Sequence, residues 1–260
     1  MTMWENELRV AIRAALQARD KIMEIYKKPF DVEIKEDNSP VTLADKMADE
    51  IIRQVIAQAF PTHAFLTEES SDDKSRLQND YVWIVDPVDG TKDFVDKNDE
   101  FTTNIALAYK HEVVVGVVLV PATGEIYYAS KGNGSFYQKK NRIKIIRVNS
   151  KTRGLTVLTS RFHVNEKELA TIERHKDKIK HRKTFGSAIK PCRIARGLAE
   201  ITYRLSAGTK EWDTAASQIV VEEAGGVFVK PSGARILYNR DDVYNREGYV
   251  VANRIENVLL

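Results

Sequence analysis

Apolar residues recur along the chain with two different periods, and the places where the period changes divide it. Over residues 4–26, Leu8, Ile12, Ala15, Ile22 and Tyr26 fall near the helical repeat with charges between them, which predicts an amphipathic helix. Ala44, Met47, Ala48, Ile51, Ile52, Val55 and Ile56 mark one face of a second helix over residues 42–59, with Pro61 just beyond its expected stop. The pattern then becomes that of strands. Residues 81–85 form a short apolar run, and 101–109 and 112–120 are β-rich and joined by the tight link Lys110–His111, a hairpin signal. Residues 125–130 and 135–138 flank the turn signal Lys131-Gly132-Asn133-Gly134. Residues 32–140 therefore read as helices followed by antiparallel strands, an α+β layer.

The second half alternates. Residues 155–159 read as a strand, 166–179 and 189–198 as helices, and 201–205 as a strand. A helix over 214–224 ends at Gly225-Gly226, where glycine suits a left-handed cap. Strands at 227–229 and 249–252 complete an α/β layer. The expected organisation is an N-terminal α+β subdomain over 1–145 and a C-terminal α/β subdomain over 146–260, packed tightly together. The join falls in a basic polar stretch near 140–152 that lacks linker character.

Composition narrows the function classes. The 260 residues are 43% hydrophobic and 30% charged, which fits a globular chain with a sizeable core and excludes a disordered or fibrous one. The 40 basic and 37 acidic residues leave a net charge of +3, too little excess for a general binder of nucleic acid polymers. Cys192 is the single cysteine, so no internal disulfide forms, and the expected setting is a reducing cytoplasm. No apolar run reaches the ~18 residues of a membrane span, and no signal peptide is evident.

The most informative segment is Asp86-Pro87-Val88-Asp89-Gly90-Thr91-Lys92, directly after the strand at 81–85. Asp86 is expected at the strand's C-terminal end, with Pro87 breaking the ladder, the Val88 carbonyl free and Asp89 turned back toward Asp86. Carboxylate and carbonyl oxygens are what Mg²⁺ takes as ligands. Gly90-Thr91 would open a short helix through Phe94, presenting backbone N–H groups to a phosphate. The same residues also read as a capped helix start with a surface Asp pair. Glu68-Glu69 reads as a strand-end pair facing the same pocket or as a solvated turn. Asp213, after Trp212, reads as a helix N-cap or, if it faces Asp86 and Asp89 across the subdomains, as a further ligand.

In order and spacing, Glu68-Glu69, the 86–91 segment and Trp212-Asp213 resemble the motifs of the inositol monophosphatase superfamily, Mg²⁺-dependent, lithium-sensitive phosphatases of small phosphomonoesters. Pro40-Val41-Thr42-x-x-Asp45, Thr123-Gly124-Glu125-x-Tyr127 and Gly132-x-Gly134 extend the resemblance to nearly the whole chain. It implies a layered α-β-α-β-α sandwich. It also implies metal ligands Glu68, Asp86, the Val88 carbonyl, Asp89 and Asp213 for about two to three Mg²⁺ ions per site. Gly90 and Thr91 would hold phosphate, and Asp45 and Thr91, with metal-bound Glu68, would activate the attacking water. Cys192 and the five histidines offer no nucleophile–base arrangement.

Lys92, Ser160-Arg161-x-His163, Ser187-x-x-Lys190 and Trp212-Asp213-Thr214-Ala215-Ala216 resemble the 3′(2′),5′-bisphosphate nucleotidase branch, with Phe162, Ala188 and Pro191 as departures. Lys92, Ser160, His163, Ser187 and Lys190 would then bind substrate. Ser206 stands where inositol enzymes usually place an acidic residue. The implied reaction is hydrolysis of the 3′-phosphate of adenosine 3′,5′-bisphosphate, with 3′-phosphoadenosine 5′-phosphosulfate as a further candidate substrate. An inositol or broad sugar phosphatase is the alternative, and a silent nucleotide or metal sensor a third reading. The implied partner is a small-molecule phosphate ester, and the chain is expected as a monomer or homodimer.

Overall fold

The computed structural model describes residues 3–34 and 40–260. Helices α1 (Glu5–Tyr26) and α2 (Leu43–Ala59) pack together through small residues, Ala11, Ala14, Ala15 and Ala18 against Ala44 and Ala48, with Ile22, Ile52 and Ile56 filling the seam. A short antiparallel ribbon, β1 (Val32–Ile34) and β2 (Pro40–Thr42), leads into α2.

The helix pair covers one face of a seven-stranded sheet. Its strands are β3 (Ala64–Thr67), β4 (Tyr81–Asp89), β5 (Thr102–Tyr109), β6 (Glu112–Val120), β7 (Glu125–Ser130), β8 (Ser135–Lys139) and β9 (Arg142–Ile146), hydrogen-bonded in that order. Only β3 and β4 pair in parallel. A short helix, α3 (Thr91–Val95), leaves the end of β4.

The second sheet holds β10 (Leu155–Ser160), β11 (Ile179–Phe185), β12 (Ile201–Arg204), β13 (Val227–Val229) and β14 (Tyr249–Ala252), in the order β11-β10-β12-β14-β13. Helix α4 (Glu166–Arg174) lies on its outer side, where Ile172 meets Leu155, Val157, Ile201 and Tyr203. Helices α5 (Ile189–Ala195) and α6 (Glu211–Glu223) fill the space between the sheets. Helix α6 is buried nearly all round, polar Glu211, Thr214, Ser217 and Gln218 included, because it is packed on both sides. It lies so close to β6 that a Cβ on Gly116 would stand 2.4 Å from the Ala216 carbonyl oxygen. The layers run α-β-α-β-α, the architecture expected from the sequence.

Several local expectations are corrected. The helix expected over 166–179 stops at Arg174, and Ile179–Phe185 is an edge strand parallel to β10. Its middle five residues, Lys180 to Thr184, are exposed, so it lacks the alternation by which a half-buried strand announces itself. The helix expected over 189–198 ends at Ala195, with Gly197 in the left-handed region at φ 71°. Helix α6 begins at Glu211, three residues earlier than the apolar pattern indicated, which moves Asp213 from the N-cap position to the third residue of the helix. Within the basic stretch near 140–152, Arg142–Ile146 continues the first sheet as its last strand. Pro87 does not end β4, which runs on to Asp89 through a register shift.

Candidate active site

That register shift brings the two aspartates of β4 together. Residues three apart on a regular strand point to opposite faces of the sheet. Here Asp86 lies opposite Asn104 and Asp89 opposite Thr102, so three steps on β4 match two on β5, and the extra residue is a bulge. Pro87 suits that bulge because it has no N–H to leave unpaired, and its carbonyl accepts the Thr103 hydroxyl at 2.8 Å. The Val88 N–H donates to Asp86 Oδ1 at 3.1 Å. Gly90 then turns the chain into α3 at φ 89°, a left-handed conformation in which a Cβ would also stand 2.1 Å from Ser187 Oγ.

Two helices aim their N-termini at the same place by the same device. Asp213 is the third residue of α6, and its Oδ2 accepts the Lys210 backbone N–H. Asp45 is the third residue of α2, and its Oδ2 accepts the Thr42 N–H at 2.8 Å and the Thr42 hydroxyl at 2.6 Å. In each case one carboxylate oxygen caps its own helix and the other is left for different partners. Asp45 Oδ1 lies 3.3 Å from Thr91 Oγ1, which is also 3.3 Å from the Val88 carbonyl oxygen. Glu68 follows β3, its N–H donating to the Val85 carbonyl at 3.1 Å.

Asp86, Asp89 and Asp213 each contribute a carboxylate oxygen to a cluster whose atoms lie within 4.8 Å of one another. Glu68 lines the same cleft outside that triplet, and Asp45 is buried behind Thr91. The electrostatics are those of crowded like charges in a dry place. Burial pushes Asp86 well above the usual carboxylate range, and Glu68, Asp89, Asp213 and Asp45 push it further. Asp213 is raised to about 8 by burial and by Asp89 and Glu68. Asp45 is raised by burial, against the opposing hydrogen bonds from Thr42. Asp89 is raised by burial too, although Lys190 and the donors on its Oδ2 oppose the shift. Those donors are Ala188 N at 2.8 Å, Thr102 Oγ1 at 3.1 Å and Asn104 Nδ2 at 3.2 Å. Asp86 Oδ2 is buried with no hydrogen-bond partner among the described residues. An all-oxygen donor set that holds unfavourable negative charge and an unpartnered buried carboxylate oxygen fits a hard divalent cation.

The cleft itself has a volume of about 480 Å³ and is lined from both halves of the chain. Ser160, His163, Ser187, Lys190 and Lys92 all line it, and so do Gly90 and Thr91. Their chemistry differs from what residue type suggests. Lys190 is buried, with its Nζ donating to the Ser187 and Phe185 carbonyls at 2.8 and 3.3 Å. Ser187, at φ 49°, sets its hydroxyl 2.8 Å from both the Asp89 and the Glu100 carbonyl oxygens. Ser160 Oγ accepts the His163 N–H at 3.2 Å. His163 is lowered to about 4, by burial first and then by Arg204, Lys92 and Lys190, so its ring is neutral at pH 7. Arg161 is not among the lining residues: it pairs with Glu100 at 2.7 Å and lies 3.5 Å from Asp93. Sequence reasoning missed Tyr203, Arg204, Thr209, Lys210, Tyr244 and Tyr249 on the cleft wall. Lys210 carried a signal, since it lies three residues before Asp213; the others come from separate strands and loops and share no motif.

Residues 3–259 match the inositol monophosphatase family. The 3′(2′),5′-bisphosphate nucleotidase CysQ of Buchnera aphidicola is 35% identical over 91% of this chain and 89% of the relative. The Nus factor SuhB of Pasteurella multocida is 31% identical over 94% of this chain and 90% of its own length. Among solved structures, CysQ from Bacteroides thetaiotaomicron, a bacterial member of the inositol monophosphatase family, superposes with a TM-score of 0.83 at 32% identity, covering 97% of this chain and 99% of that one. No helix among the described residues is long and apolar enough to cross a membrane.

Proposed function

The chain belongs to the inositol monophosphatase family and is a phosphatase, and on that premise we propose that it removes the 3′-phosphate of adenosine 3′,5′-bisphosphate in a Mg²⁺-dependent hydrolysis. The observation that carries the reading is the convergence of Asp86, Asp89 and Asp213 in a cleft that Lys92, Arg204 and Lys210 also line. Glu68, Asp86, the Val88 carbonyl, Asp89 and Asp213 would hold the metal. When bound, Mg²⁺ lowers the pKa of a coordinated water and neutralises charge on the phosphoryl and leaving oxygens.

The chain's own groups do the rest. Gly90 and Thr91 offer the backbone N–H groups at the start of α3 to the phosphate. Thr91 Oγ1, within reach of Asp45 Oδ1, positions the attacking water and relays its proton. Asp45 is the acceptor, since a carboxylate held above its usual range is the better base. Lys92 and Arg204 supply cations for the second phosphate, His163 a neutral ring beside the nucleoside, and Ser160 a hydroxyl on the same wall. Lys190 and Ser187 act on the substrate through the 185–188 turn, which they hold against Asp89.

The CysQ relatives favour a nucleotide over a polyol, as does Ser206 in place of an acidic residue. The test is kcat/KM for phosphate release from adenosine 3′,5′-bisphosphate, inositol 1-phosphate and fructose 1,6-bisphosphate. A preference for the nucleotide of at least about tenfold, or ~1.4 kcal/mol, is expected. Equal or better turnover of inositol or sugar phosphate would replace this reading with a broad phosphatase, and no turnover of any would leave a silent binding protein.

A further inference from the structure

One buried carboxylate on α2 lies outside the cleft's lining and still touches the loop that carries Glu68. Asp49 lies one helical turn beyond Asp45, on the same buried face of α2, and is 2% exposed. Its Oδ2 accepts Arg53 Nε at 2.8 Å and Ser70 Oγ at 2.9 Å, and its Oδ1 is buried without a hydrogen-bond partner among the described residues. A carboxylate kept out of water with one oxygen unpartnered is unfavourable on stability grounds alone, and an apolar side chain would fill that space more cheaply. What the carboxylate adds is a fixed acceptor for Ser70.

Ser70 closes the acidic turn. Its N–H donates to Thr67 Oγ1 at 3.2 Å, and the Glu68 N–H donates to the Val85 carbonyl at 3.1 Å, one residue before Asp86. The turn is therefore fastened at both ends. Its Glu68 end is tied to β4, which carries Asp86 and Asp89. Its Ser70 end is tied through Asp49 to α2, which carries Asp45. The second tie thus joins the turn that carries Glu68 to the helix that carries Asp45.

We propose that Asp49 is a positioning residue that, through the Ser70 hydroxyl, fixes the Glu68 turn relative to Asp45 and so sets the divalent-metal affinity of the carboxylate cluster. This rests on the reading of Glu68 as a metal ligand. Ligand-supporting hydrogen bonds of this kind typically change metal affinity by about 10- to 100-fold, and a tie one residue further from the ligand should fall at the lower end.

The experiment titrates the full-length protein with MgCl₂ and obtains the half-saturating concentration by fitting the rise in Tm to its dependence on ln(1 + [Mg²⁺]/Kd), which requires no turnover. Ser70→Ala and Asp49→Ala should raise the half-saturation about tenfold. Ser70→Thr, which keeps the hydroxyl, should restore it to within about twofold of the parent. Arg53→Ala leaves Ser70 on Asp49 and should lower Tm without moving the half-saturation. At saturating Mg²⁺, kcat of Ser70→Ala should stay within about twofold of the parent. Should Asp49→Ala fail to fold, Ser70→Ala carries the test alone. A half-saturation unchanged in Ser70→Ala but raised in Glu68→Gln would overturn the inference and leave the metal assignment standing. A half-saturation unchanged in Glu68→Gln would overturn both.

Discussion

Replacing Asp213 by asparagine should make the metal-free protein more stable and the enzyme inactive. The Asp213 carboxyl is raised from 3.8 to about 8, by burial and by the charges of Asp89 and Glu68. At ~1.36 kcal/mol per pKa unit, holding it ionised costs roughly 6 kcal/mol. At pH 7 it takes up a proton instead, and linkage leaves about 4 kcal/mol of destabilisation. Burial supplies the largest part of that figure and repulsion from Asp89 and Glu68 the rest; because asparagine is still a buried polar group, only about half is released, roughly 2 kcal/mol. Asparagine keeps an oxygen for the Lys210 N–H, so the start of α6 is preserved. For a chain of this size ~1 kcal/mol moves Tm by about 2–4 °C, so Asp213→Asn should melt about 4–8 °C higher in excess chelator. Excess Mg²⁺ should reverse the order, because the parent gains about 2.7 kcal/mol at a hundredfold excess over Kd and the variant does not. Calorimetric melts of both proteins with chelator and with Mg²⁺ supply the comparison. A lower Tm for Asp213→Asn in chelator would mean that the carboxylate serves chiefly to cap α6, and the reasoning from crowded charge would be refuted.

The same crowding sets a pH dependence. Asp45, Asp86, Asp89, Asp93 (raised to about 6) and Asp213 (to about 8) bind protons more tightly folded than unfolded, so metal-free Tm should fall as pH rises from about 5 to 8. His163, lowered to about 4, and His63, lowered by burial, work the other way below their unfolded value of 6.5, but they are two groups against these five. A metal-free Tm that climbs over that range would contradict this. Lys92→Ala should lower kcat/KM on adenosine 3′,5′-bisphosphate by about one to two powers of ten, for a lost charged hydrogen bond of ~1.5–3 kcal/mol, and spare inositol 1-phosphate. Lys190→Ala should lose activity on both esters and lower Tm, because its Nζ holds two main-chain carbonyls. Gly116→Ala should destabilise by about 1–3 kcal/mol, since the new Cβ meets the Ala216 carbonyl at 2.4 Å, and a thermal melt within error of the parent would show that α6 can move aside.

What was legible in the sequence follows from what each part must bury or bind. Helices α1 and α2 and strands β5 to β8 are packed on the core, so their apolar periods register in the chain. The 86–91 segment was legible because metal and phosphate chemistry needs several unusual residues in a row: two acids, a proline, a glycine and a threonine. Strand β11 was not, because the exposed stretch Lys180-His181-Arg182-Lys183-Thr184 on a sheet edge carries no inward-facing pattern. The bulge that aligns Asp86 with Asp89 is a property of two strands and leaves no mark on one. Residue type also misled where tertiary contact decides chemistry: His163 is neutral, and Arg161 is bound to Glu100.

The central claim is that the Asp86–Asp89–Asp213 cluster works through a divalent metal on a phosphate ester. The most direct measurement is phosphate release from adenosine 3′,5′-bisphosphate after exhaustive chelation, followed by stepwise return of MgCl₂. Release should fall to background in chelator and return with Mg²⁺ to the original rate. Undiminished release in excess chelator would contradict the account.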